Sequence, residues 1–386
     1  MEQYDVVIVG AGLAGLYCAQ NLGAAGVRVM LIDRKTNLDG AVHTTGIFVR
    51  RTLEDFDLPE DCLGPAVRQV SLYSPKRRRQ DMESQFDEFR VGRMGLLYQR
   101  YLSRAVMNGV RWSPATLFGG GEANANGSRI RLTTGGKDWE VQTRFLIGAD
   151  GAQSRVGAAL GLDQNQEWIV GLEEVYSGVP LDGAPRFHCF LDAKLSPGYL
   201  AWVVHDGEEV HLGVGGYVEH FKPTEALELF RRSVAGSVVD LSKSRLLEKR
   251  GGRIPVGGVL RRIANERGLL IGDAAGAVSP LTAGGLDPCL RLSRMAANVI
   301  IAAMRANDPA MLNQYSGELF RARFVSRLWM RRIIAKVRRQ AWLELACAAM
   351  RLPGLSSIAR HVFFGRGSFP DVPLEADNKA PLERPV

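Results

Sequence analysis

The hydrophobic pattern changes period twice within the first 33 residues. Tyr4–Val9 (Tyr-Asp-Val-Val-Ile-Val) is a short, β-rich apolar run, long enough for a strand buried on both faces. Leu13–Ala25 sets Leu13, Leu16, Tyr17, Ala24 and Ala25 among small residues. That pattern predicts a helix lying close on a sheet, and Gly26 stands where such a helix stops. Val27–Asp33 predicts a second strand, completing one βαβ unit. Further on, Arg90–Gly109 reads as a helix ending in Asn-Gly, and strands are expected around Arg129–Leu132 and Val141–Ile147. Gly171–Tyr217 alternates short β-like runs with turn residues, which suggests an antiparallel sheet. A helix Thr224–Ala235 opened by Pro223, a buried strand Gly268–Ile271 and a long helix Leu286–Met304 follow. Pro309–Leu352 reads as helical and basic, and the four prolines after Phe369 read as a loose arm.

Length and composition narrow the class. Single cores stop growing near ~250–300 residues, so 386 residues predict two structural units. With 46% hydrophobic and 23% charged residues, wholesale disorder and fibrous structure are excluded. No apolar run of about 18 residues is present to span a membrane, and Met1–Val6 has neither part of a secretion signal. Five cysteines without a Cys-x-x-Cys point to a reducing, cytoplasmic compartment and away from a disulfide scaffold or a metal site. A net charge of +8 leaves nucleic acid, a membrane surface or an anionic substrate open.

Three glycine-rich segments carry the chemistry. Gly10-Ala-Gly12-Leu13-Ala14-Gly15 lies between the first strand and the first helix. Gly10 would make the turn, Gly12 would admit a pyrophosphate, and Gly15 would let helix and strand pack closely. Asp33 ends the second strand, where a ribose-binding acid belongs, with Arg34 beside it. Gly148-Ala-Asp150-Gly151 follows a strand, and Gly272-Asp273-Ala-Ala-Gly276 follows another. Pro280-Leu-Thr-Ala-Gly284-Gly285 then precedes Leu286 and the long helix, whose N-terminus glycines leave bare.

In this order the three segments resemble the flavin fingerprints of the glutathione-reductase-type FAD fold, in its p-hydroxybenzoate-hydroxylase-like branch. The resemblance covers roughly residues 1–305. It implies an α/β architecture: a Rossmann-like FAD-binding domain (1–165 and 252–305) and an inserted antiparallel β-sheet substrate domain (166–251, with part of 60–92). A C-terminal helical region (306–386) completes it. By the same resemblance Gly10, Gly12, Leu13, Ala14 and Gly15 cradle the pyrophosphate, Asp33 and Arg34 flank the adenosine ribose, and Arg93 and Asp150 border the diphosphate. Gly272 and Asp273 meet the ribityl chain, and Gly284, Gly285 and Leu286 lie against the flavin ring. A bare helix N-terminus would stabilise charge on a reduced flavin.

Within the branch, Gly272–Leu286 is similar to geranylgeranyl reductases. So is Pro197-Gly-Tyr199-Leu-Ala-Trp202, with the glycine-rich run Val210–Tyr217 after it. Here Leu200 takes the place of the reductases' tyrosine, with Tyr199 displaced by one, and Val204 and His205 replace a Phe-Pro. The implied activity is hydride transfer from flavin N5 to a C=C bond of an apolar, isoprenoid-like substrate, with Tyr199, Trp202 and Gly215 at its pocket. NAD(P)H or a redox protein would supply electrons. The alternative is a flavin monooxygenase acting on a small apolar or aromatic substrate. Several of these reductases carry a cysteine in the loop after the ribose acid. This chain has His43 there, either a proton donor or a loop residue that only positions backbone.

The segment Arg321–Arg339 holds eight cations and no acid, as many as the whole excess of positive charge. Trp329, Ile333, Val337 and Trp342 are interleaved with them, and the two kinds do not separate into clean faces on one helix. The remainder of the chain is neutral, which argues against nucleic acid. A lipid-like substrate makes an anionic membrane, met from the cytoplasmic side, one partner to expect, and a solvated packing helix is the alternative.

Overall fold

The computed structural model describes residues 1–38, 42–124, 127–181, 183–321, 325–352 and 354–365, with backbone only at 358 and 359. Strand Glu2–Val9, helix Leu13–Ala24 and strand Val29–Ile32 form the βαβ unit that the apolar runs predict. Val6, Val7, Ile8, Leu31 and Ile32 are inaccessible to solvent, as a doubly covered parallel sheet requires. Strand Lys137–Gly148 pairs in parallel on the other side of Glu2–Val9, with Val9 opposite Gly148. The sheet runs in the order Ala264–Asn265, Gly268–Leu270, Lys137–Gly148, Glu2–Val9, Val29–Ile32, Arg111–Ser113. A hairpin, Thr116–Asn124 and Gly127–Thr134, extends it antiparallel from Lys137–Gly148. Helix Leu13–Ala24 packs against helices Met94–Met107 and Leu286–Ala306.

The helix expected from Arg90 begins later, at Met94. Phe89–Gly92 is taken instead by a small sheet, pairing with Ile47–Val49 and Leu63–Val67. Cross-strand partners from distant sequence override a local helix signal there.

A second, seven-stranded sheet has the order Arg245–Pro255, Trp168–Ser177, Glu209–Gly216, Ala201–His205, Arg186–Phe190, Gln69–Tyr73, Arg79–Glu83. It is antiparallel with one exception: Arg186–Phe190 runs parallel to Gln69–Tyr73. That edge is supplied by the charged hairpin around Lys76–Arg79, far away in sequence. Side chains alternate along Glu209–Gly216. Val210, Leu212 and Val214 pack with Leu227, Phe230 and Val234 of helix Pro223–Val234. His211, Gly213 and Gly215 point to the opposite face, which looks back toward the first sheet's loops.

Among the described residues, four α-helices follow the long one: Gly317–Arg321, Val325–Lys336, Gln340–Ala349 and Leu355–Phe364. Val325–Lys336 resolves the mixed pattern of the basic segment into two sides. Leu328 lies against Gly258, and Ala335 against Gly198. Trp329 and Ile333 are exposed on the other side, with Arg332 over the Trp329 ring. The proline tail after Phe369, and Arg323, fall outside the described residues. Among the described residues, no helix is long and apolar enough to cross a membrane.

Candidate active site

Gly10, at the end of the first strand, has φ +107°, and a Cβ there would stand 2.2 Å from Ala149 O. A Cβ on Gly15 would stand 1.9 Å from Gly10 O. Both positions therefore exclude a side chain. Gly12 differs: a Cβ there would touch no protein atom within 4 Å, so the surface beside it is open to a ligand. The first-turn N–H groups of Leu13, Ala14 and Gly15 face outward at this helix start, where no side chain caps them. Asp33 closes the other side. Its carboxylate accepts from Ala11 N (2.7 Å) and Lys35 N (2.9 Å), which fixes it to the glycine turn and leaves lone pairs for hydroxyl groups. Arg34 is exposed beside it.

Asp150 is turned to a different task. It accepts from Ser154 Oγ, Arg155 N and Val156 N, capping the short helix Arg155–Leu160. Its carboxylate is consumed locally, and only its backbone adjoins Gly10. Arg93, at the start of helix Met94–Met107, pairs with Glu208 at 2.9 Å in the hairpin Asp206–Glu209 of the second sheet.

Gly272 takes φ +58°, and Gly272–Ala275 forms one 3₁₀ turn after the buried strand Gly268–Leu270. Asn165 Nδ2 holds the Asp273 carbonyl at 2.9 Å. The Asp273 carboxylate forms no hydrogen bond with any described residue. Burial pushes its pKa up to about 6. It stands beside Gly285, the uncapped first residue ahead of helix Leu286–Ala306. Ala283, with φ +52°, turns the chain so that Gly284 and Gly285 present backbone alone. An unsatisfied acceptor next to a helix N-terminus, and an open glycine turn at another, suit a dinucleotide with a hydroxylated chain between its halves. The donors and acceptors that FAD requires are thus present.

The second sheet supplies an aromatic wall opposite. Tyr199 Oη donates to Thr282 O at 2.7 Å, tying the wall to the Gly284–Gly285 loop. Tyr199 and Trp202 meet edge to face at 6.4 Å. Gly213 exists to seat Trp202, since a Cβ there would lie 2.2 Å from the indole. Gly215 seats Tyr199 in the same way at 2.6 Å. The motif around Tyr199–Trp202 and the glycine-rich strand after it are two halves of one packing unit.

A buried charged cluster anchors this wall, and no sequence motif announced it. Glu173 accepts from Thr45 Oγ1, from Trp202 Nε1 (2.8 Å) and from Arg250 Nε (2.8 Å). His211 Nδ1 lies 3.4 Å from Glu173 Oε1, and Nε2 lies 3.6 Å from Asp206 Oδ2. Burial alone would raise the Glu173 pKa, but His211, Arg250 and Thr45 outweigh it and hold it at about 2. Burial would lower that of His211, yet Asp206 and Glu173 push it up to about 9. The available signal was an acid within the apolar strand run Trp168–Ser177, where period two sends Glu173 to one face and Glu174 to the other. Thr45 brings in the loop that carries His43. His43 is exposed, and partial burial together with Lys35, Arg34 and Arg250 lowers its pKa.

Fold and site fit a flavin-dependent oxidoreductase. Residues 3–331 match the FAD binding domain family (FAD_binding_3), and the chain belongs to that family. FAD is its cofactor. Among curated proteins it is similar to the digeranylgeranylglycerophospholipid reductase of Methanocella arvoryzae, at 24% identity over 329 residues, covering 82% of this chain and 83% of the relative. The digeranylgeranylglycerophospholipid reductase 1 of Methanopyrus kandleri is 29% identical over 315 residues, covering 79% and 82%. Among solved structures, a geranylgeranyl bacteriochlorophyll reductase-like protein from Thermoplasma acidophilum superposes with TM-score 0.82 at 20% identity, over 95% of this chain and 97% of its own. A p-nitrophenol 4-monooxygenase from Pseudomonas putida superposes with TM-score 0.72 at 18% identity, over 94% and 97%. The chain is a geranylgeranyl-reductase-like member of the FAD oxidoreductases.

Proposed function

We propose that this protein reduces a C=C bond of an apolar, isoprenoid-like substrate. The observation that carries the reading is the Tyr199–Trp202 wall, hydrogen-bonded through Tyr199 to the Gly284–Gly285 loop. It offers apolar ring faces directly opposite a backbone-only surface. A hydroxylating site for a polar aromatic needs polar groups to orient its substrate, and this wall presents ring faces. The reductases named among the relatives add support. Reduced FAD, when bound, would supply the hydride, and a nearby acid or water the proton that completes the reduction.

The chain's own residues do the rest. Backbone N–H groups at Gly12–Gly15 hold the pyrophosphate, Asp33 and Arg34 the adenosine end, and Asp273 the ribityl hydroxyls. Arg93 borders the diphosphate, while Gly285 and Leu286 aim the helix N-terminus at the ring, where negative charge is stabilised. Trp202 and Tyr199 exclude water from the reacting bond. NAD(P)H or a redox protein delivers the electrons. The expected result of mixing photoreduced, FAD-loaded protein anaerobically with a prenyl compound is return of the oxidised flavin absorbance and a product two mass units heavier. Oxygen consumption with a hydroxylated product, and no anaerobic reoxidation, would replace this reading with a monooxygenase.

The outward side of the C-terminal helices is proposed to dock on an anionic membrane surface from the cytoplasm. Ile333, Lys336, Val337, Arg338, Arg339 and Trp342 line a cleft of about 480 Å³ there. Each cation near such a surface contributes about 1 kcal/mol. Vesicles with anionic lipid should bind wild type in a salt-sensitive way and release R338Q/R339Q, whereas equal binding by both would refute the docking.

A further inference from the structure

Asp206 and His211 anchor the aromatic wall from one side, and on their other side they meet Glu209. Asp206 opens the turn between strands Ala201–His205 and Glu209–Gly216. Period two then sends Glu209 and His211 to the same face of the second strand. A carboxylate oxygen from each acid and a ring nitrogen of His211 all lie within 4.8 Å of one another. Two of the three side chains are sealed: His211 is 3% exposed and Asp206 4%. Glu209 is half-buried and leaves a way in from solvent.

One edge of the imidazole lacks a partner. Nδ1 is engaged by Glu173 Oε1 (3.4 Å) and Arg250 Nη2 (2.8 Å). Nε2, on the opposite edge, is buried and forms no hydrogen bond with any described residue. It faces Asp206 Oδ2 from 3.6 Å, too far for a hydrogen bond. Asp206 Oδ1 accepts from the backbone N–H groups of Glu208 (2.9 Å) and Glu209 (2.7 Å), which fixes the carboxylate with Oδ2 toward the ring. Among the described residues, no Lys or Arg lies within ion-pair distance of Asp206 or Glu209. The neighbouring cations are taken: Arg250 by Glu173 (2.8 Å) and Glu248 (3.5 Å), and Arg93 by Glu208 (2.9 Å).

Two carboxylates and the free edge of an imidazole form a donor set for a cation. One nitrogen and two oxygens suit a first-row divalent ion such as zinc, which accepts three protein ligands and keeps a fourth position for water. The 3.6 Å between Nε2 and Oδ2 is close to the ~3.4 Å between two ligands of a tetrahedral ion with bonds of ~2.1 Å. Glu173 stands where a carboxylate orients a metal-bound histidine from behind. Two acids also balance a dication in charge.

We infer that Asp206, Glu209 and His211 bind a divalent transition-metal cation of the zinc class. In the metal-free chain a proton on His211 fills the gap between Asp206 and Glu173, so proton and cation exclude each other. Because Glu173 stands between this cluster and Trp202, the ion braces the wall of the pocket. No cysteine takes part, and cysteine spacing is therefore silent on it. Binding of the ion does not depend on which substrate the flavin reduces.

Equilibrium dialysis of the chelator-stripped, FAD-loaded full chain against Zn²⁺ tests this. Wild type should retain one ion per chain at free Zn²⁺ on the order of 1 μM. H211Q and E209Q should each lower that affinity on the order of 100-fold. An excess of Mg²⁺, which prefers six oxygens, should leave the ion in place. FAD affinity, measured alongside, reports whether each variant is folded, and E209Q, at the half-buried position, decides if H211Q is not. Wild type that retains no Zn²⁺ overturns the inference and leaves the proton as the occupant of the cluster. Equal retention by wild type and either folded variant overturns it as well, by placing the ion elsewhere. Displacement by Mg²⁺ does the same, by making the cluster an unselective acidic patch.

Discussion

His211 is expected to make the stability of this protein depend on pH in a particular direction. Its pKa is pushed from 6.5 up to about 9 by Asp206 and Glu173, against the opposing Arg250, whose Nη2 lies 2.8 Å from Nδ1. A group whose folded pKa is raised stabilises fully below its unfolded value and loses that contribution as pH climbs through the folded one. The loss therefore falls between pH 6.5 and 9. At 1.36 kcal/mol per unit, the shift corresponds to about 3 kcal/mol. Glu173 mirrors it on the acid side. Held at about 2, it keeps its contribution above pH 4.5 and loses it as pH falls toward 2. Both shifts report one shared interaction, so the pair gives a plateau from about pH 4.5 to 6.5 rather than two separate gains. The assay is urea unfolding of FAD-saturated protein at pH 6 and pH 9, followed by tryptophan emission, for wild type and H211Q. Wild type should lose about 3 kcal/mol more than the variant across that interval, the other titrating groups cancelling in the difference. Parallel curves would mean that Arg250 keeps the imidazole neutral, and the account of the cluster as a charged pair would be wrong.

Two further outcomes separate the flavin side from the substrate side. D273N should weaken FAD binding about tenfold while leaving the apoprotein as stable or more so, because the amide removes a buried charge; unaltered FAD affinity, by fluorescence titration, would remove Asp273 from the cofactor site. In G213A the new methyl must displace the Trp202 ring, costing about 1–3 kcal/mol, red-shifting tryptophan emission and sparing FAD affinity. A wild-type emission spectrum would contradict the packing described.

The glycine turns and buried strands of the flavin domain were legible because their constraints are local. Gly10 and Gly15 are dictated by neighbours a few residues away or on the adjoining strand, and the apolar run Tyr4–Val9 leaves little choice of environment. Long-range pairing was not legible. Nothing near Arg186–Phe190 says that its partner is Gln69–Tyr73, and nothing near Arg90 says that it will join a strand. The charged cluster was hidden for a related reason. Glu173, His211, Arg250 and Asp206 come from three strands and a turn, and each alone reads as an ordinary polar residue of a half-exposed sheet. The basic segment misled in a third way. A count of cations cannot tell Arg338, which faces outward, from Arg331, which is sealed under Tyr199 and Tyr217.

The glycines beneath Trp202 and Tyr199 have a consequence for how this pocket can change over time. They act as a mould whose contents must be altered before the mould itself. A smaller side chain at position 202 would open a trench floored by Gly171 and Gly213, giving room for a bulkier or branched chain. Only then would a side chain at 213 be tolerated, and once present it would bar the indole from returning. Substrate range in such a site should therefore drift in one order, ring first and strand second, and be hard to reverse.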